Sequence, residues 1–82
     1  MSELTTFKLT ISQINSLLYS GEAHSVTIPG SEGELTLLAQ HEPLITLLKK
    51  GTITVRASEG NKDFQIEKGI CEVSHGQVTL LI

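Results

Sequence analysis

The side chains able to do chemistry are few and scattered. They are His24, His41 and His75, the single Cys71, Ser31 within Pro29-Gly30-Ser31-Glu32-Gly33, and the neighbouring carboxylates Glu32 and Glu34. A nucleophile elbow needs glycine where Pro29 stands and a strand-to-helix turn behind the serine, so Ser31 reads as part of a hairpin turn. His41-Glu42 opens like a zinc-protease helix, but Ile45 occupies the place of the second histidine and Pro43 stops a helix there. The three histidines fall on three separate turns without ligand spacing and read as solvated or turn-capping groups. Glu32 and Glu34 would point the same way on a strand. With no basic or histidine neighbour in sequence, they read as a solvated acidic loop rather than an acid–base pair. Gly30 and Gly33 lack the downstream Gly-Lys-Ser/Thr of a phosphate-cradling loop. One cysteine excludes an internal disulfide and a Cys-rich zinc site, and its flanks Ile70 and Val73 fit a semi-buried thiol in a reducing compartment. The reading is of a chain with no catalytic, metal or cofactor site.

What remains is a binding or assembly module, and composition bounds its partners. The 82 residues fit one domain, 1–82, with an aliphatic core drawn from twelve Leu, eight Ile and four Val, two Phe and no Trp. The net charge is −3 and the six basic residues are dispersed, which argues against nucleic acid. Lys49-Lys50, the one basic pair, reads as a solvated turn. No basic and apolar leader opens the chain, and no apolar run approaches the ~18 residues of a membrane helix. The expectation is a soluble domain that inserts no segment into a membrane, yet could sit on a membrane complex.

The elements that must position these side chains are short. Turn signals at Ser20-Gly21-Glu22, Pro29–Gly33, Gln40–Pro43, Lys50-Gly51, Ser58–Asn61, Lys68-Gly69 and Ser74–Gln77 leave segments of strand length. Several alternate cleanly: Phe7, Leu9 and Ile11 against Lys8 and Thr10; Ile53, Val55 and Ala57 against Thr52, Thr54 and Arg56. Phe64 and Ile66 alternate likewise, as do Val78, Leu80 and Ile82. Leu44, Leu47 and Leu48 could form a helical stripe, but about two turns are marginal, so that segment is read as a strand. Ile11, Ile14 and Leu18 could form a helical stripe too, but Ile11–Leu18 is also read as a strand, irregular near Gln13–Ser16. The predicted fold class is all-β: two packed antiparallel sheets, a β-sandwich of about ten short strands.

Order and spacing add a resemblance. Gly30-Ser31-Glu32-Gly33-Glu34-Leu35, then His41 and Pro43-Leu44-Ile45-Thr46, then Lys50-Gly51-Thr52-Ile53, resemble the ε subunits of F-type ATP synthases. Lys68-Gly69-Ile70-Cys71-Glu72-Val73 with Val78-Thr79-Leu80-Leu81 looks like that family's ending, and Phe7–Ser12 with Tyr19-Ser20-Gly21 like its beginning. Departures occur at Thr36, Ala39, Gln40 and Lys68, which bear on loop conformation rather than on the sheets.

The resemblance implies a non-catalytic rotor subunit of the central stalk. It would bridge the γ subunit and the polar loops of the c-ring and couple proton transport to ATP synthesis, with no cofactor of its own. By position, Ser31, Glu32 and Glu34 become candidates for the c-ring contact, and Ser12, His41 and Thr46 for the γ contact. The isolated domain would be a monomer without ATPase activity. In the assembled enzyme it would be peripheral, on the cytoplasmic or equivalent inner face of the energy-coupling membrane. Such subunits usually continue into a C-terminal helical hairpin, whereas this sequence stops at Ile82. It is therefore expected to support coupling without that arm's inhibition of rotation and without tight ATP binding. The competing expectation is a free-standing β-sandwich interaction module, since architecture does not fix function. Scarce aromatics argue against a sugar platform.

Overall fold

The computed structural model describes residues 5–82. These hold nine strands: β1 (Phe7–Gln13), β2 (Ser16–Ala23), β3 (Ser25–Gly30), β4 (Gly33–Leu37), β5 (Leu44–Leu48), β6 (Gly51–Ala57), β7 (Gly60–Ile66), β8 (Gly69–Ser74) and β9 (Gln77–Leu81). The two-residue period of a pleated backbone sets which side chains go inside. In β1, Phe7, Leu9 and Ile11 are buried while Lys8 faces solvent; in β6, Ile53 and Val55 are buried; in β9, Val78 and Leu80 are. The all-β expectation holds, with nine strands for about ten. Among the described residues no helix is long and apolar enough to cross a membrane.

Hydrogen bonds link the strands in the order β2-β1-β9-β8-β5-β3-β6-β7, with β4 added to β3. The link between β5 and β3 is a single pair, Gly30 opposite Leu48. There the ladder folds over, giving one layer of β2-β1-β9-β8-β5 and another of β4-β3-β6-β7. Leu9, Ile11, Cys71, Val73 and Leu80 from the first layer meet Val26, Ile28, Leu37, Ile53 and Val55 from the second in one aliphatic core.

Three details depart from the sequence reading. The segment Ile11–Leu18 is not one irregular strand: Ile14-Asn15 reverses the chain, and β1 pairs antiparallel with β2, with a register shift between Ile11 and Ser12. Ser20-Gly21-Glu22 is not a turn but lies within β2, opposite Lys8–Thr10. Its glycine is tolerated because the Tyr19 ring lies over it, the phenol donating a 3.0 Å hydrogen bond to the Glu22 carbonyl. The first and last strands, β1 and β9, pair in parallel, Leu9 beside Val78 and Ile11 beside Leu80. Nothing local to either segment encodes that pairing. It arises because both must cover the same core.

Candidate functional site

The acidic hairpin is the first candidate. Ser31-Glu32 forms the two-residue turn between β3 and β4, and Glu34 is the second residue of β4; all three side chains are exposed. Gly33 adopts φ +134°, which L side chains rarely reach. Gly30 pairs with Gly33 so closely that a Cβ at Gly30 would lie 2.7 Å from the Gly33 carbonyl oxygen. Two backbone bonds pin the tip to β5: the Ser31 N–H donates to the Leu47 carbonyl at 2.8 Å, and the Lys49 N–H to Pro29 at 2.9 Å. The three expected ring-contact residues thus share one rigid corner, with Glu32 in the turn and Glu34 on the strand.

The second candidate is the outer face of the β2-β1-β9-β8-β5 layer. Register places Leu17, Ser12, Leu81, Ile70 and Leu47 in one row across its five strands, near the hairpin end. The next row runs Ser20, Thr10, Thr79, Glu72 and Ile45. Leu17, Ile45, Leu47 and Leu81 are 63%, 68%, 61% and 51% exposed. Ile14, in the β1–β2 turn at the same end, is also exposed. A shallow cleft of about 460 Å³ opens among Leu47, Ile70, Leu81 and Ile82, with Lys68 at its edge. The outer face of the other layer is polar by contrast, carrying Thr27, Thr36, Thr54, Arg56 and Asp63, with the Thr27 and Thr36 hydroxyls 3.0 Å apart.

The expected γ-contact residues are not brought together. Ser12 lies in the apolar row. Thr46 is half-buried on the inward side of β5, opposite buried Cys71. His41 sits in the β4–β5 loop at the far end of the molecule, near His75, its Nδ1 2.9 Å from the Glu42 carbonyl oxygen.

His24 is not a solvated histidine. It makes the corner between β2 and β3, is half-buried, and places Nε2 3.1 Å from the Ser58 hydroxyl while Nδ1 is buried without a partner. Cys71 is fully buried; burial, with the nearby Glu72 charge adding to it, pushes its thiol from 9.0 up to about 11, so it is inert at neutral pH. Among the described residues no three His, Cys, Asp or Glu side chains group as metal ligands do.

The apolar row escaped the reading of turns and motifs, although a signal for it existed. Consecutive apolar residues in a strand must point to opposite faces. Leu17-Leu18, Leu47-Leu48 and Leu80-Leu81 each therefore commit one leucine outward, and in the structure Leu48 is 4% exposed where Leu47 is 61%.

The chain is similar to known proteins along nearly its whole length. Relatives named ATP synthase epsilon chain include those of Sulfurimonas denitrificans, 40% identical over 80 residues, and Bordetella avium, 39% identical over 79. An ATP synthase epsilon chain 2 of Nitrobacter hamburgensis is 37% identical over 78 residues. These alignments take in 96%, 95% and 95% of this chain but only 62%, 56% and 57% of the relatives, so the chain spans little more than half their length. The fold superposes with TM-score 0.85 and 26% identity on a chain of the Euglena gracilis mitochondrial ATP synthase (OSCP/F1/c-ring), covering 93% of this chain and 49% of that one. A chain from the central stalk and c-ring of the Tetrahymena thermophila mitochondrial enzyme shares the fold at TM-score 0.78 and 14% identity, covering 98% of this chain and 65% of that one. The sequence profile of the family described as "ATP synthase, Delta/Epsilon chain, beta-sandwich domain" matches residues 6–82, and with nine strands folded into two layers over that same span, the chain belongs to this family.

Proposed function

We propose that this chain serves as a non-catalytic central-stalk component of an F-type ATP synthase. It grips the γ subunit through the outer face of the β2-β1-β9-β8-β5 layer and rests its β3–β4 hairpin on the c-ring's polar loops. It stays peripheral to the membrane, on the cytoplasmic or equivalent inner face, and couples rotation to catalysis carried out elsewhere.

The observation that carries this reading is the apolar row. Leu17, Leu47 and Leu81 in that row and Ile45 in the next are more than half exposed, and such a cluster on one sheet face marks an interface rather than a solvent surface. Ser12 lies within that row, which ties one of the expected γ-contact residues to it. The hairpin corner adds Glu32 and Glu34 at the adjoining end, where charge pairing would set register and partner choice more than affinity. Thr46 and His41 lie off the apolar face, and any γ contact they make is at its margins.

The test is reconstitution. F1 stripped of its ε-type subunit should rebind this chain, and Leu47→Asp together with Ile45→Asp should abolish rebinding while the domain keeps its melting temperature. Undiminished rebinding by that double variant would overturn the assignment. So would purification from native membranes without γ or c subunits.

A further inference from the structure

One charged group stands directly beside the apolar row. β8 turns Ile70, Glu72 and Ser74 outward, and Glu72 stands directly between Ile45 on β5 and Thr79 on β9. Leu47 and Leu81 occupy the diagonal positions one row away, within reach of a long side chain. The Glu72 carboxylate is therefore framed by exposed aliphatic groups on both flanking strands. Among the described residues no side chain hydrogen-bonds to it. The only basic residue on the five strands of this layer is Lys8, two strands away and opposite Glu22. Lys68 lines the cleft beside Leu47, Ile70 and Leu81, but it lies four residues up the chain from Glu72, about 13 Å in extended backbone.

In the free domain water solvates this carboxylate. Docking changes its surroundings. Any partner that covers Ile45, Leu47, Ile70 and Leu81 must also cover Glu72, and a carboxylate removed from water without a counter-charge opposes binding. An uncharged apolar partner surface would therefore be rejected here, while a cation set among apolar groups would be accepted. A guanidinium suits the position best: it is planar, weakly hydrated and able to donate two parallel hydrogen bonds to one carboxylate.

We infer that Glu72 is the specificity-determining residue of this face, and that its counterpart is a basic side chain, preferably arginine, set in an apolar patch of the γ subunit. This rests on the docking reading above, and the experiment separates the two. Fluorescently labelled chain is titrated into F1 stripped of its ε-type subunit, and Kd and dissociation rate are read for the unaltered chain, Glu72→Gln, Glu72→Leu, Ile45→Asp and, on the opposite layer, Lys62→Gln. Thermal melts confirm that each variant folds.

Glu72→Gln and Glu72→Leu should each weaken binding by about 30-fold or more, chiefly through faster dissociation, because each strands the partner's buried cation. Lys62→Gln should bind as the unaltered chain does. If Glu72→Leu binds equally well or more tightly while Ile45→Asp fails, the face docks by apolar contact alone and the Glu72 assignment is wrong. If Ile45→Asp binds normally, the docking reading falls and takes this inference with it. Weakened binding of the Glu72 variants to detergent-purified c-ring, with affinity for F1 unchanged, would also overturn it.

Discussion

Gly69 and Leu81 meet backbone to backbone at the hairpin end of the molecule: a Cβ at position 69 would lie 2.6 Å from the Leu81 carbonyl oxygen and 3.0 Å from Ile82 Cγ2. The obstacle is main chain, so no side-chain rotation relieves it. Gly69→Ala should force β8 and β9 apart where the apolar row crosses them, costing about 1–3 kcal/mol as an overpacked site does. Urea unfolding reads the change, and an unmoved midpoint would contradict the contact.

The two phenylalanines should not be equivalent. Phe7 is 2% exposed in the core, whereas Phe64 is half-buried against its rim. Phe7→Ala should cost about 3–5 kcal/mol, a large share of a small domain's stability. Phe64→Ala should cost clearly less. Equal losses in thermal melts would show that the edge of the β6–β7 pair is as tightly packed as its centre.

Glu34→Lys should leave folding stability within about 0.5 kcal/mol, because the side chain is exposed beside the β3–β4 turn and makes no core contact. In the reconstituted enzyme it should reduce ATP-driven proton pumping, most at low salt, where screening of exposed charges is weakest. Pumping unaffected at low ionic strength would remove the hairpin from the ring contact.

Cys71 gives a pH dependence of defined sign. Burial holds its thiol protonated up to about pH 11, against 9.0 ordinarily. Below pH 9 the folded and unfolded chains both keep the proton, and the thiol contributes no slope. Between pH 9 and 11 only the unfolded chain loses it, so stability falls as pH rises. Cys71→Ala lacks this contribution. The stability advantage of the unaltered chain over the variant should therefore shrink from pH 8 to 10.5, and a constant gap in paired urea titrations would contradict it.

Much of the architecture was legible because strand periodicity is local. Phe7, Leu9 and Ile11, or Val78 and Leu80, declare a buried face by their two-residue spacing, and Pro29-Gly30-Ser31-Glu32-Gly33 declares a hairpin by its turn chemistry. Where a segment is apolar on both faces the signal fades. Leu44-Ile45-Thr46-Leu47-Leu48 carries no alternation, and only packing decides that Leu48 goes inward and Leu47 outward. Ser20-Gly21-Glu22 misleads for a related reason. Its glycine signals a turn, and a tyrosine two residues earlier, lying over that glycine, keeps the strand going.

The sequence by itself determined an all-β chain with an aliphatic core, an acidic hairpin tip held between two glycines, and family motifs in the right order. Each of those is written in neighbouring residues. Tertiary structure alone decided that β1 and β9, at opposite ends of the chain, lie side by side in parallel. It alone set Leu17, Leu81, Ile70 and Leu47 in one row on four different strands, and framed Glu72 within that face. It also parted Ser12 from Thr46 and His41, which the motif order had grouped. The physical reason is register: side-chain direction alternates along a strand and is fixed by its own sequence, but which strands become neighbours is settled by burial of the common core.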